Sequence, residues 1–364
     1  MNKGTILIVD DNLVNLNYIA GQIGESHRAI LAKSGEQALK ICSSERPDLI
    51  LLDVEMPGMD GFETILRLKA DARLSDIPVI FLTANRDTDS EIRGLECGAV
   101  DFVTKPFNKS ILLHRIDHHL SFFRYQCYLE KTVRELEDNI VHGFSEIVEY
   151  RDSDTGGHII RTSRYVDLLG RKLIAWHDSG ASIPGRKIAR PSQEELEMYV
   201  RAAPMHDIGK ISISDAILLK PGKLTPEEFE IMKEHAPAGG KMLRKMFART
   251  PTQRYLKYAI MIAEGHHERF DGAGYPNGLA GDNIPLCARI MAIADVYDAI
   301  IEPRCYRKAM THNEARNIIL AGEGSHFDPL LVDLFRENEA GFQEIAQQHH
   351  NQADANKEEA AGQA

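Results

Sequence analysis

Four short apolar runs in the first 110 residues each lead into a polar residue, and this pattern restricts the fold more than any other. Thr5 to Val9 runs into Asp10-Asp11, Leu49 to Leu52 into Asp53, Val79 to Leu82 into Thr83, and Phe102-Val103 leads to Lys105-Pro106. Between them lie stretches of helical period, such as Leu13 to Ile23, Glu36 to Cys42 and Ser90 to Cys97. Strands alternating with helices predict a parallel sheet with helices on both faces, from Thr5 to about Leu120. Such sheets bind ligands at the carboxyl ends of their strands, where these polar residues fall. Three carboxylates at one edge repel one another, so Mg²⁺, a hard cation that takes oxygen ligands, is the natural neutraliser. A lysine and a threonine hydroxyl beside them would hold phosphoryl oxygens.

A chain of 364 residues exceeds one ordinary core, so at least two domains are expected. Its 43 basic and 54 acidic residues give a net charge of −11, and no basic block stands out. That argues against a nucleic-acid groove, while leaving room for a local basic pocket around a small phosphorylated ligand. The five cysteines (42, 97, 127, 287 and 305) are scattered, with no CxxC spacing, and read as reduced thiols. The start turns acidic before any signal-peptide core forms, and no apolar run approaches the roughly 20 residues of a bilayer span. The expectation is a soluble, cytoplasmic protein.

From Ser110 to Tyr150 there is no proline, and Phe122, Leu129, Val133, Leu136, Ile140 and Ile147 form a heptad-like stripe interrupted at Gln126 and Gly143. A long helix leaving the first domain is predicted, either pairing with a second chain or packing on its own second domain. Beyond it the chain reads as nearly all helix, with Pro/Gly loops at Lys220-Pro221-Gly222 and Asp271 to Pro276.

The second half scatters candidate metal ligands over several helices. The pair His206-Asp207 has adjacent side chains that, on a helix, point about 100° apart and can serve two metals. Asp295 stands in the apolar run Ile290 to Val296, where burying an unpaired carboxylate costs several kcal/mol, so a cation partner is expected. With His158, His235 and the adjacent His266 and His267, these form a mixed His/Asp set suited to Fe, Mn, Zn or Co more than Ca, and two metals clamping a phosphoryl group is its common use.

Two resemblances follow. Asp10-Asp11, Asp53 before Met56-Pro57-Gly58, Thr83-Ala84 and Lys105-Pro106, in that order, resemble the receiver domain of response regulators over residues 4–120. The resemblance implies a five-stranded parallel, doubly wound α/β sheet, phosphorylation of Asp53 by a sensor histidine kinase or phosphotransfer protein, and Mg²⁺ on Asp10, Asp11 and Asp53. It also implies Thr83 and Phe102 as a switch pair with Lys105, and a cis bond before Pro106. The string Tyr150-Arg151-Asp152, Thr155 to His158, HDIGK, His235, HHERFDGAGYP and ARIMAIADVYDA resembles the HD-GYP domain over Glu149 to about Phe335.

That second resemblance implies an all-α metal-dependent phosphodiesterase of the HD superfamily acting on cyclic di-GMP, giving pGpG and, after a second cut, GMP. It implies metal ligands His158, His206, bridging Asp207, His235, His266, His267 and Asp295, with His266 and His267 on different metals. Two divalent transition metals are implied, Fe or Mn first and Ni, Co or Zn as alternatives. A third is left open at Asp154, which reads equally as a helix cap or a solvent-facing residue. Lys210 falls within reach of the scissile phosphate, and Asp271, Gly272, Gly274, Tyr275 and Pro276 border the substrate. Arg304 and Arg307 match a basic pair that holds ligand phosphates. The GYP loop is also a candidate contact for cyclase domains, so a signalling scaffold, or a phosphodiesterase for another cyclic dinucleotide, stands as the alternative. The expected layout is a receiver over 1–120, a helical linker and candidate coiled coil over 121–148, the HD-GYP domain over 149–340 and a disordered tail over 341–364, in a homodimer with no membrane span.

Overall fold

Each apolar run is a strand of one parallel sheet, joined by a fifth strand that the sequence reading did not name. A computed structural model describes residues 3–71, 73–83, 88–151 (backbone only for 88–91), 157–250, 252–302 and 309–348. The first unit, Met1–Arg134, runs β1 (Thr5–Val9), α1 (Leu13–Ile23), β2 (Arg28–Ala32), α2 (Gly35–Ser44), β3 (Leu49–Asp53), α3 (Gly61–Ala70), β4 (Val79–Thr83), α4 (Thr88–Glu96) and β5 (Asp101–Thr104). The strand order is β2-β1-β3-β4-β5, all parallel, so the order reverses between β1 and β3. Asp10 and Asp53 flank that switch point, the place where open α/β sheets bind ligands. β3 and β4 are buried along their whole length, as central strands covered on both faces must be. β2 lies at the edge with only Ala32 fully buried, and its RAILA sequence carries little of the apolar signal that marks the others.

Helix α5 runs unbroken from Lys109 to Tyr150, 42 residues, as the absence of proline predicts. The division between units falls inside it, at Arg134/Glu135. Val141, Ser145 and Val148 are drawn into the second unit, while Glu137 and Asp138 pair with Arg201.

The second unit is helical: α6 (His158–Asp178), α7 (Gln193–Ala202), α8 (Asp215–Leu218), α9 (Pro226–Lys233), α10 (His235–Arg249), α11 (Tyr255–Gly265), α12 (Leu286–Ile301), α13 (His312–Ala321) and α14 (Pro329–Glu337), with 3₁₀ turns at Ala203–Met205, Ile208–Ser212 and Gly281–Asn283. Capping boxes at Ser192/Glu195, Thr225/Glu228 and Thr311/Glu314 start α7, α9 and α13 by satisfying their first backbone donors. α12 is apolar nearly all round, so it runs through the middle of the core. The expected disordered tail begins too early at 341. Residues 339–348 are helical, and Phe342 is fully buried, stacked on Tyr165 at 4.7 Å and edge-on to Tyr297 and Phe335. Phe342, Ile345 and Ala346 share one helical face, which pays for ordering an otherwise Gln-rich stretch.

Candidate metal centre

At the carboxyl edge of the sheet, Asp10 and Asp53 are buried and Asp11 is exposed, and one oxygen from each lies within 4.8 Å of the others. Lys105 Nζ, just past β5, donates to Asp10 Oδ2 at 2.9 Å and to Asp53 Oδ2 at 2.6 Å. Burial pushes the Asp53 carboxyl up to about 6; Lys105 opposes this and the Asp10 charge adds to it. Thr83 closes β4 beside them and is buried. The Phe102 ring is half-buried, stacked on Phe81 at 5.7 Å with its edge under Gly94. The Lys105-Pro106 bond is cis.

In the helical unit, seven side chains from separate elements converge. His158 opens α6, His235 opens α10, His266 and His267 follow α11, and Asp295 lies in α12. His206 and Asp207 do not lie on one α-helix, as the sequence reading assumed; they form the bend between the 3₁₀ turns Ala203–Met205 and Ile208–Ser212. The second turn presses onto α10: a methyl group at Gly209 would stand 1.9 Å from the His235 carbonyl oxygen. Only glycine permits that approach, which brings Asp207 Oδ1 to 3.3 Å from His235 Nε2.

The ligand atoms fall into two groups that adjoin where Asp207 meets His206. Asp207, His235, His266 and His267 make one, and His158, His206 and Asp295 the other. Asp207 Oδ1 faces the first group, 3.7 Å from His266 Nε2, while Oδ2 faces the second, 3.3 Å from His206 Nε2. His158 Nε2 lies 3.4 Å from His206 Nε2 and 3.6 Å from Asp295 Oδ1. His266 and His267 belong to the same group, against the expectation of separate metals. Lys210 Nζ reaches Asp207 Oδ2 at 2.8 Å, at the edge of the cluster.

The imidazoles are aimed by their far nitrogens. Nδ1 of His206 donates to Ala203 O at 3.0 Å, that of His235 to Met232 O at 2.7 Å and that of His266 to Ile262 O at 2.9 Å. His158 Nδ1 donates to Asp298 Oδ2 at 2.8 Å. Each bond fixes the tautomer and turns the Nε2 lone pair toward the cluster, the arrangement metal-bound histidines use. Asp207 Oδ1, His235 Nε2 and His266 Nε2 are buried with no hydrogen-bond partner among the described residues, a costly state that a cation would relieve. Charge asks for the same thing. Burial disfavours a charged His206, yet Asp207 and Asp295 outweigh it and raise the imidazole to about 9. Burial, reinforced by His266, lowers His235 to about 4. His235 is therefore neutral, while the site of His206 calls for positive charge.

Several residues that support the site escaped the sequence reading. Asp298, not Asp295, is the fully buried carboxylate of α12, and it also accepts from Arg161 Nε at 2.7 Å and Nη2 at 2.9 Å. Arg161 thus braces the aspartate that braces His158. Glu268, also buried, accepts from the backbone of Asn277 at 2.7 Å and Leu279 at 3.0 Å, folding the loop back. Gly274 is required there because a Cβ would stand 2.3 Å from Arg269 N. Burial raises the carboxyl of Glu149, against the pull of His158 and His206, and its Oε1 has no hydrogen-bond partner among the described residues. Of the expected substrate border, Tyr275 stacks on His267 at 4.7 Å and Pro276 follows a cis bond. Asp271 is occupied inside the loop by Arg269 and Ala273 N, and Gly272 holds a positive φ of 82°. Asp154, Arg304 and Arg307 lie outside the described residues.

Both halves of the chain have counterparts among known proteins. The profile of the response regulator receiver domain matches residues 6–117 and that of the HD domain residues 171–331, which holds six of the seven converging residues and leaves out His158. A probable cyclic di-GMP phosphodiesterase of Vibrio cholerae is 41% identical over 98% of this chain and 82% of its own length. The cyclic di-GMP phosphodiesterase response regulator RpfG of Xanthomonas campestris is 35% identical over 94% and 90%. A cyclic di-GMP phosphodiesterase of Thermotoga maritima is 34% identical over 94% and 92%. The chain belongs to the family of response regulators that join a receiver domain to an HD-type cyclic di-GMP phosphodiesterase domain.

Proposed function

We propose that this chain hydrolyses cyclic di-GMP to the linear dinucleotide pGpG, and further to GMP, under control of phosphorylation at Asp53, and that it acts as a homodimer. The observation that carries the reading is the convergence of Nε2 and carboxylate atoms on two adjoining points, Asp207 belonging to one and lying 3.3 Å from His206 of the other, with buried acceptors left unpaired. His158, His206 and Asp295 would hold one divalent transition metal, His235, His266 and His267 a second, and Asp207 would touch both; Fe and Mn suit the mixed set, as do Ni, Co and Zn. Bound there, such cations supply Lewis acidity to a phosphodiester and bring a water's pKa toward neutrality.

The chain's own groups do the rest. Lys210 places an ammonium beside Asp207, where it neutralises phosphoryl oxygens. Tyr275, fixed against His267 and facing Phe229 at 6.3 Å, offers an aromatic wall for a guanine base. In the receiver, Asp10, Asp11 and Asp53 would hold Mg²⁺, Asp53 would accept the phosphoryl group donated by a histidine kinase, and Lys105 would pair with its oxygens. Thr83 and Phe102 would carry the phosphorylated state outward, and Arg304 and Arg307 would hold substrate phosphates. The test is product chromatography with metal-loaded protein on cyclic di-GMP and a panel of other cyclic dinucleotides. Turnover of cyclic di-GMP to pGpG supports the reading, and turnover restricted to another dinucleotide refutes it.

A further inference from the structure

The connecting helix presents two different faces, one buried on its own unit and one open. Val141, Ser145 and Val148 of α5 pack into the helical unit. The other face follows an uninterrupted four-three spacing: 122, 126, 129, 133, 136, 140, 143, 147 and 150. At these positions Phe122, Leu129, Val133, Leu136, Ile140, Ile147 and Tyr150 are between 42 and 78% exposed in the single chain. An apolar stripe of this length on an otherwise folded helix marks an interface. Nothing else among the described residues covers it.

We propose that this stripe is the seam of a parallel two-stranded coiled coil with a second copy of the same chain. The residue types choose the occupant. Taking Gln126 as position a, the a positions hold Gln126, Val133, Ile140 and Ile147, and the d positions hold Phe122, Leu129, Leu136, Gly143 and Tyr150. β-branched residues at a with leucine at d favour two parallel strands, because their side chains fill the holes of a dimer and crowd those of larger assemblies. The single polar a residue, Gln126, meets its own copy only when the helices are in register, so it fixes the alignment. Charge agrees with parallel pairing. Each g residue then meets an e residue of the second copy: Tyr125 with Glu130, Thr132 with Glu137, and Asn139 with Phe144, none of them like charges. From Phe122 to Tyr150 the seam is 29 residues, about 43 Å at 1.5 Å per residue, and spans four heptads.

The proposal rests on the homodimer reading and gives it a location. The test uses the full chain, followed by sedimentation at micromolar concentrations, with cyclic di-GMP hydrolysis read on the same samples. Wild type should sediment as a dimer, and Leu129→Glu with Ile140→Glu as a monomer of unchanged helical content, since both sites are exposed. In a Cys127→Ser background, oxidation should link Leu136→Cys to its second copy, while Lys131→Cys, on the far side of the seam, should link at least tenfold more slowly. A monomeric wild type overturns both the dimer reading and the coiled coil. A dimer that survives the double glutamate variant, or equal cross-linking at the two cysteine positions, overturns the coiled coil alone.

Discussion

Asp298→Asn separates support of the metal centre from its ligands, because Asp298 touches no metal position and yet orients His158. The side chain is fully buried and accepts three charge-assisted hydrogen bonds, from His158 Nδ1 at 2.8 Å and from Arg161 at 2.7 and 2.9 Å. Asparagine has the same shape but no charge, so its amide nitrogen must face a donor. Arg161, itself buried, then has Glu302, at 3.5 Å, as its remaining anionic partner among the described residues. Breaking a buried ion pair on one side costs about 3 to 5 kcal/mol. In a helical unit of this size that lowers the melting temperature by roughly 6 to 20 °C. The loosened His158 ring adds a second effect, about 10- to 100-fold weaker metal binding. The assay is thermal unfolding followed by circular dichroism, with metal affinity measured by competition with a chelator. The pair replacement Asp298→Leu with Arg161→Met should recover most of the stability, because no charge is left buried, while metal affinity stays low. An Asp298→Asn protein that melts and binds metal as wild type does refutes the reasoning.

Other expectations follow from the same geometry. Gly209→Ala should cost about 1 to 3 kcal/mol of stability and lower the metal content measured by mass spectrometry, since its methyl group would push the 3₁₀ turn off α10. Phe342→Ala should cost about 3 to 5 kcal/mol in urea unfolding, where a disordered segment would cost nothing. Labelling of Asp53 by acetyl phosphate needs its carboxylate, and burial has raised the folded pKa to about 6. In metal-free buffer the Asp53 carboxyl, followed by NMR, should therefore titrate at about 6, and in buffer with Mg²⁺ Asp53→Asn should take up no label from acetyl phosphate; a carboxyl that titrates at its ordinary value of about 4, or a variant that still labels, contradicts this.

The legible parts of the fold were those whose signal is local. β1, β3 and β4 announce themselves because strands covered on both faces must be apolar throughout. β2 does not, because an edge strand is held by its ladder to β1 more than by its side chains. The residues of the cluster were legible as histidines and aspartates too expensive to leave unpaired. Their sorting into groups was not, because it depends on how Ile208–Ser212 docks on α10 through Gly209. Asp298 lies three residues beyond Asp295 on the same helix, and only the packing of α6 decides that Arg161 reaches it. Phe342 was hidden by the polar residues around it, since its partners Tyr165 and Tyr297 come from distant parts of the chain.

Metal-dependent cleavage of cyclic di-GMP at the cluster around Asp207 requires the metal and the cluster together. Its most direct test is paired metal analysis and product chromatography on one anaerobically purified sample of wild type and of His206→Ala with Asp207→Ala. Wild type should carry at least two transition metal ions per chain and release pGpG, and the double variant should lose both while keeping its helical content. Hydrolysis that survives in the double variant, or that proceeds in a wild type stripped of metal, contradicts the account.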